Sequence, residues 1–248
     1  MHIRVTKDRW FRRFGSVDPG VPTLVCFPHA GGSAGSYSDL AAEIVPALNV
    51  VAVQYPGHLE RFDEPFNEDI SAVGRHVATR LVNTESFPLL LFGHSMGGLV
   101  AFESARELAI TGASVKALFL SACAPPQHES DEPRWSDATS EALARHLADL
   151  GGMPPPLLYD SGFVELLVSI LRSDYRAIES YVIPRTPQLR VPITALYGRQ
   201  DPTITRAEIE QWTEFSNQAI TILEILSGHF YDEESLRQVA QAIRVAAL

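Results

Sequence analysis

Cysteine is scarce: the 248 residues hold two, Cys26 and Cys123. Both fall in apolar runs that read as buried strands, and neither has a His or Cys at metal-ligand spacing. Buried free thiols are therefore expected, not a disulfide scaffold or a metal site. Positive charge is also short, with 20 Lys+Arg against 30 Asp+Glu and a formal charge of -10. That surplus opposes the counterion release on which nucleic-acid affinity depends, so no nucleic-acid partner is expected. No apolar run reaches the roughly 18 residues of a bilayer span, and the charged start Met1-His2-Ile3-Arg4 lacks a secretory core. A soluble, cytoplasmic protein without membrane association is the expectation. Internal repeats and low-complexity tracts are missing too. With 46% hydrophobic and 20% charged residues, disordered and fibrous classes are ruled out.

What is present is an alternation. Short β-rich apolar runs at 23–28, 50–55, 89–93, 117–122, 193–198 and 220–226 each end in Gly, Pro, Ser or Asp. Most are followed by a stretch of helical period, which suggests a parallel sheet wrapped by helices, with ligands beyond the strands' carboxyl ends. From Asp69, an acceptable N-cap, Ile70, Val73, Val77 and Leu81 share one helical face. Leu236, Val239 and Ile243 repeat that spacing behind Asp232-Glu233-Glu234, whose charges suit a helix N-terminus. The spacing between the strands ending near Ala122 and starting near Val191 is far longer than a βαβ crossover requires. It holds a polar run at 127–133, an amphipathic segment with Leu143, Leu147 and Leu150, a Gly/Pro breaker at 151–156, and a second segment with Phe163, Leu167, Leu171 and Ile178. We read 127–187 as a helical lid inserted into one domain spanning 1–248.

The most informative stretch is Gly93-His94-Ser95-Met96-Gly97. A buried strand runs straight into it, and an amphipathic helix from Leu99 to about Ile110 follows, stopping at Gly112. The glycines permit a sharp strand-to-helix turn that lifts the Ser95 hydroxyl above the sheet. A serine hydroxyl is a weak nucleophile and needs a base oriented by a third group. Of eight histidines, His229 alone directly follows the last expected strand. Asp201, in Gly198-Arg199-Gln200-Asp201-Pro202, closes another strand at the same rim; the bland alternative there is an Asx turn before Pro202. The chain order Ser95, Asp201, His229 is that of α/β-hydrolases. The oxyanion donors expected are the backbone N–H of Met96 and an N–H from Pro28-His29-Ala30-Gly31-Gly32, namely that of Ala30.

Phe27-Pro28-His29-Ala30-Gly31-Gly32-Ser33, Gln54-Tyr55-Pro56-Gly57-His58, the Ser95 turn, Gly198-Arg199-Gln200-Asp201 and Gly228-His229-Phe230 occur in this order along nearly the whole chain. Together with the Trp10-Phe11-Arg12-Arg13 start and Leu171-Arg172-Ser173-Asp174-Tyr175, the sequence resembles the type II thioesterases, the discrete editing partners of polyketide and nonribosomal peptide synthases. His58 departs from the resemblance, since the family often has Arg there; Arg61 lies nearby. The resemblance implies an α/β-hydrolase fold, a mostly parallel sheet flanked by helices with an inserted helical lid. It implies Ser95 as nucleophile, Asp201 as acid, His229 as base, and Ala30 and Met96 as oxyanion amides. The implied substrate is an acyl thioester on the phosphopantetheine arm of an acyl or peptidyl carrier protein. No metal or cofactor is expected, the carrier contact is expected to be transient, and the enzyme to be a monomer. His29 and Leu171 are candidate substrate-binding residues, with Leu171 of the lid placed near the acyl chain. Cleavage of small oxyesters, acyl transfer in place of hydrolysis, and a noncatalytic docking role are the competing readings.

Overall fold

Leucine-rich and β-branched runs form the centre of the molecule. The computed structural model describes residues 8–66, 69–84, 88–125, 134–183 and 188–248. Strands β1 (Phe11–Phe14), β2 (Thr23–Phe27), β3 (Asn49–Val53), β4 (Leu89–His94), β5 (Val115–Ser121), β6 (Ile193–Gly198) and β7 (Thr221–Ile225) make one sheet in the order β1-β3-β2-β4-β5-β6-β7. All neighbours are parallel except β1, which runs antiparallel to β3 with Phe11 opposite Val53. The central strands β2, β3 and β4 are buried along their whole length, which is why they read as continuous apolar runs and not as alternating ones.

Successive side chains of a strand point to opposite faces, so each strand feeds two apolar layers. Val25, Phe27, Leu89, Leu91 and Leu118 enter one layer with α2 (Ile70–Thr84) and α3 (Met96–Thr111). Leu24, Cys26, Leu90, Phe92 and Phe119 enter the other with α1 (Ser38–Ile44) and α7 (Glu233–Ala247). The Asp69 carboxylate accepts from Ala72 N–H at the start of α2, and Asp232 caps α7 through Ser235 N–H. Both cysteines are buried and free.

Three expectations need correction. The chain enters the sheet through β1, whose short alternating segment Phe-Arg-Arg-Phe carries too little apolar length to stand out as a strand. The helix after the serine begins at Met96, not Leu99, because the turn hands β4 directly to α3. Nor is α3 amphipathic: Met96 through Ala105 are buried, since β2, β4 and β5 cover one side and α2 packs against another.

Between β5 and β6 stand α4 (Ser140–Asp149), capped by the Thr139 hydroxyl, and α5 (Ser161–Ser180), capped by the Asp160 carboxylate. They pack on one another and bury Leu143, Leu147, Leu167 and Leu171. The polar run at 127–133 and the end of the insertion at 184–187 lie outside the described residues. A last short helix, α6 (Arg206–Glu210), follows β6. Among the described residues, no helix is long and apolar enough to cross a membrane.

Candidate active site

Parallel strands put all their carboxyl ends on one edge of the sheet, and four of those ends supply the site. At the end of β4, Ser95 takes φ 53 and ψ -124, a left-handed conformation that a non-glycine residue holds only when its surroundings enforce it. The enforcement is steric. A Cβ on Gly93 would come within 2.1 Å of the Gly97 carbonyl oxygen, and one on Gly97 within 1.9 Å of the Phe27 carbonyl oxygen. Only glycine at both places lets β4, α3 and β2 approach so closely. Ser95 N–H is held by Ser121 O at 2.8 Å, and Ser95 O accepts from Gly98 N–H at 2.8 Å.

The loops after β6 and β7 are stitched together before they deliver their side chains. Arg199 N–H donates to Ile225 O and Gln200 N–H to Ser227 O. A Cβ on Gly198 would meet Gly228 O at 2.1 Å. Across this seam His229 Nδ1 lies 2.7 Å from Asp201 Oδ2. The second oxygen, Oδ1, accepts from Thr203 N–H at 2.9 Å and from the Thr203 hydroxyl at 2.7 Å. The Asx turn considered from sequence therefore forms, and it forms alongside the histidine contact, one oxygen to each. Although burial disfavours its charge, the bonds from His229 and Thr203 lower the Asp201 pKa below the ordinary carboxylate value, so Asp201 is ionised at neutral pH. An ionised partner makes Nδ1 the donor and leaves the Nε2 lone pair of His229 free to act as a base.

Ser95 and His229 line the same cavity of about 610 Å³, together with Met96, Cys123, Thr203 and side chains of the insertion. His94 packs behind His229, with their ring centroids 5.1 Å apart. Burial depresses the His94 pKa far below the ordinary histidine value, so His94 is neutral beside His229. His94 Nδ1 lies 2.8 Å from the Ser121 hydroxyl, which lies 2.8 Å from the Tyr231 hydroxyl.

In the loop after β2, most amides are committed. Gly31 N–H donates to Asp174 Oδ2, Gly32 N–H to His29 O, Ser33 N–H to the Ser36 hydroxyl and Ala34 N–H to Gln54 Oε1. Among the described residues no acceptor meets Ala30 N–H. Met96, as the first residue of α3, has no intrahelical acceptor for its own N–H.

The two candidate substrate-binding residues sit elsewhere. Leu171 is 1% exposed and packs against the loop after β2, with its Cδ2 2.8 Å from where a Cβ on Gly31 would stand. It does not line the Ser95 cavity; from α5, Tyr175 and Ile178 do. The apolar spacing that marked Leu171 marks core contacts equally well. His29 donates from Nδ1 to Ala30 O at 2.8 Å and lines a separate cavity of about 210 Å³ beneath the insertion, with Gly31, Met153 and Leu167.

Sequence reasoning missed an aromatic group at the cavity wall. Trp135 stacks on His146 with centroids 3.7 Å apart, and His146 Nε2 lies 3.0 Å from the Tyr175 hydroxyl. A signal existed: His146 shares a helical face with Leu143, Leu147 and Leu150. Among the described residues no group of three or more His, Cys, Asp or Glu could hold a metal ion.

Residues 22–246 match the model of the thioesterase domain family. The chain is 33% identical over 242 residues to a probable cadicidin biosynthesis thioesterase of Streptomyces griseus, covering 96% of this chain and 67% of that protein. It is 36% identical over 235 residues to phenyloxazoline synthase MbtB of Mycobacterium tuberculosis, covering 94% of this chain but only 16% of that much longer protein. Among solved structures, the type II thioesterase BorB from the borrelidin biosynthetic cluster superposes with a TM-score of 0.90 at 35% identity, covering 99% of this chain and 100% of BorB.

Proposed function

The chain belongs to the thioesterase family and has its α/β-hydrolase fold, and from that premise we propose that it is a discrete type II thioesterase. Its substrates on this reading are acyl groups held as thioesters on the phosphopantetheine arm of acyl or peptidyl carrier proteins of a modular synthase. The observation that carries the reading is the 2.7 Å contact of His229 Nδ1 with Asp201 Oδ2, at a cavity shared with Ser95. Likeness to BorB, whose own description is of a type II thioesterase, supports the type II reading.

In the mechanism, Ser95 Oγ attacks the thioester carbonyl carbon while His229 Nε2 takes the hydroxyl proton. The oxygen that becomes negative is met by the Ala30 and Met96 amides, and the imidazolium is stabilised by Asp201. Collapse of the tetrahedral intermediate breaks the carbon–sulfur bond, the His229 imidazolium gives its proton to the departing sulfur, and an acyl-Ser95 ester remains beside a neutral imidazole. A thiolate is a far weaker base than an amide anion, so the sulfur departs with less help from a proton donor than an amine would need. Water then attacks the ester, giving its proton to His229, and the free acid leaves as Ser95 is reprotonated. None of these steps requires a metal or a cofactor.

The helices α4 and α5 act as a lid on this reading, with Trp135, His146, Tyr175 and Ile178 bounding the acyl chamber. The carrier contact is transient, the enzyme works as a monomer, and it resides in the cytoplasm with its synthase. At -10 overall the protein would meet an acidic carrier through a local patch, not through its net field. The test is intact-mass analysis of a panel of acylated carriers incubated with the wild type and with Ser95→Ala. Loss of the acyl mass with the wild type alone is expected; equal deacylation by both would overturn the reading.

A further inference from the structure

One carboxylate joins the lid to the loop that carries an oxyanion donor. Asp174, on α5 and 6% exposed, uses its single oxygen Oδ2 twice: it accepts from Gly31 N–H at 2.7 Å and lies 3.0 Å from His58 Nε2. Gly31 is the residue directly after Ala30, and it has φ +73. His58 is itself fixed, because its Nδ1 lies 2.9 Å from the Pro56 carbonyl, which can only accept. That contact puts a proton on Nδ1. The contact with Asp174 puts a second on Nε2 when the carboxylate is ionised, so the pair is then an imidazolium–carboxylate pair. Gln54 extends the network, donating from Nε2 to His58 O and accepting Ala34 N–H at Oε1.

Resting on the thioesterase reading above, we propose that Asp174 is a positioning residue of the reaction: paired with His58, it holds Gly31 and so sets the adjoining Ala30 amide for the oxyanion, coupling lid closure to catalytic competence. Without this bond the Gly31 amide turns to another acceptor and the loop geometry loosens.

Asp174 faces His58 from α5; on the His58 loop Tyr55 precedes it and Arg61, paired with Glu64, follows. His29 reaches it from the loop after β2. Ile70 and Val73 of α2 and Met96 and Val100 of α3, which line the same small cavity, are uncharged. Burial and Arg61 oppose the charge on His58, but Asp174 and the Pro56 carbonyl outweigh them and raise its pKa above the ordinary histidine value. With the carboxylate ionised, the pair is therefore intact at neutral pH and is lost as pH rises through the raised value.

The experiment measures kcat and KM of the full chain on an acylated carrier from about pH 6 to about pH 10. Asp174→Asn should lower kcat about tenfold or more with KM changed less than about threefold. The wild type should lose kcat at its alkaline limb, and His58→Arg, whose guanidinium keeps its charge, should move that loss to higher pH by about one pH unit or more. His58→Gln, the fallback if the arginine variant does not fold, should show reduced kcat with no alkaline limb. Wild-type kcat in Asp174→Asn, or an unshifted alkaline limb in the His58 variants, would overturn the proposal; a purely structural role would lower the melting temperature without moving that limb. Ser95→Ala is the control. If it still hydrolyses substrate, the underlying thioesterase mechanism fails. If it is inert while Asp174→Asn is unaffected, this inference alone fails.

Discussion

Asp201 divides its two oxygens between His229 Nδ1, at 2.7 Å, and Thr203, which holds the other through both N–H and hydroxyl. The carboxylate is thereby fixed before the substrate arrives. Asp201→Asn keeps the shape but offers no charge to the imidazolium, and its amide favours the wrong tautomer of His229. Steady-state turnover of an acylated carrier should fall by about 1,000-fold or more, by analogy with the carboxylate of serine-protease triads. Thr203→Val should cost about tenfold through a less rigid Asp201. Turnover within twofold of the wild type for Asp201→Asn would remove the carboxylate from the mechanism.

Gly97 has no room for a side chain: a Cβ there meets backbone atoms of Phe27 and Pro28, which cannot swing aside as a flexible side chain can. Gly97→Ala is expected to destabilise the protein by about 3 kcal/mol or more. Gly162→Ala, where the nearest atom lies at 3.6 Å, serves as the mild comparison. Urea denaturation of both reads the difference, and equal midpoints would contradict the steric account of the turn.

The cavity wall from α5 is Tyr175 and Ile178, whereas Leu171 is interior. Ile178→Trp should therefore shorten the longest acyl chain hydrolysed, measured as kcat/KM across a chain-length series. Leu171→Trp should instead overpack the contact with Gly31 and lower stability by about 1–3 kcal/mol. A chain-length shift from Leu171→Trp without loss of stability would reverse this assignment.

Two histidines, His94 buried and His29 half-buried, make the fold acid-sensitive. Burial pushes the His29 pKa down to about 4 and that of His94 well below its ordinary value, about 6.5 in an unfolded chain. The folded state thus binds fewer protons than the unfolded one below about pH 6.5, and stability falls as pH drops from there toward the depressed values. His58 contributes the opposite slope on the alkaline side, since its pKa is raised. His94→Gln should flatten the acid loss, seen as a smaller difference in denaturation midpoint between about pH 7.5 and about pH 5. A pH difference as steep as that of the wild type would exclude His94 as a contributor.

Local constraints made much of this legible in advance. The run 89–93, the two elbow glycines and the residues closing the strands before Asp201 and His229 identify a turn and two loop ends, because backbone sterics and strand burial act within a few residues. Six of the seven strands carry an apolar run long enough to see, whereas β1, four residues with two arginines, is recognised only through its pairing with β3. The helical face of α5 showed which residues turn inward but not what lies there, so Leu171 read like a chamber residue and packs as core.

Sequence alone determined the sharp turn at Ser95, the alternation of strand and helix, and the acidic balance of the chain, all properties of neighbouring residues. Tertiary structure decided which distant groups meet. Gly31 and Asp174 are 143 positions apart and share a hydrogen bond because the insertion between β5 and β6 folds back over the end of β2. No periodicity records such a contact, since its cost and gain depend on the order of strands in the sheet.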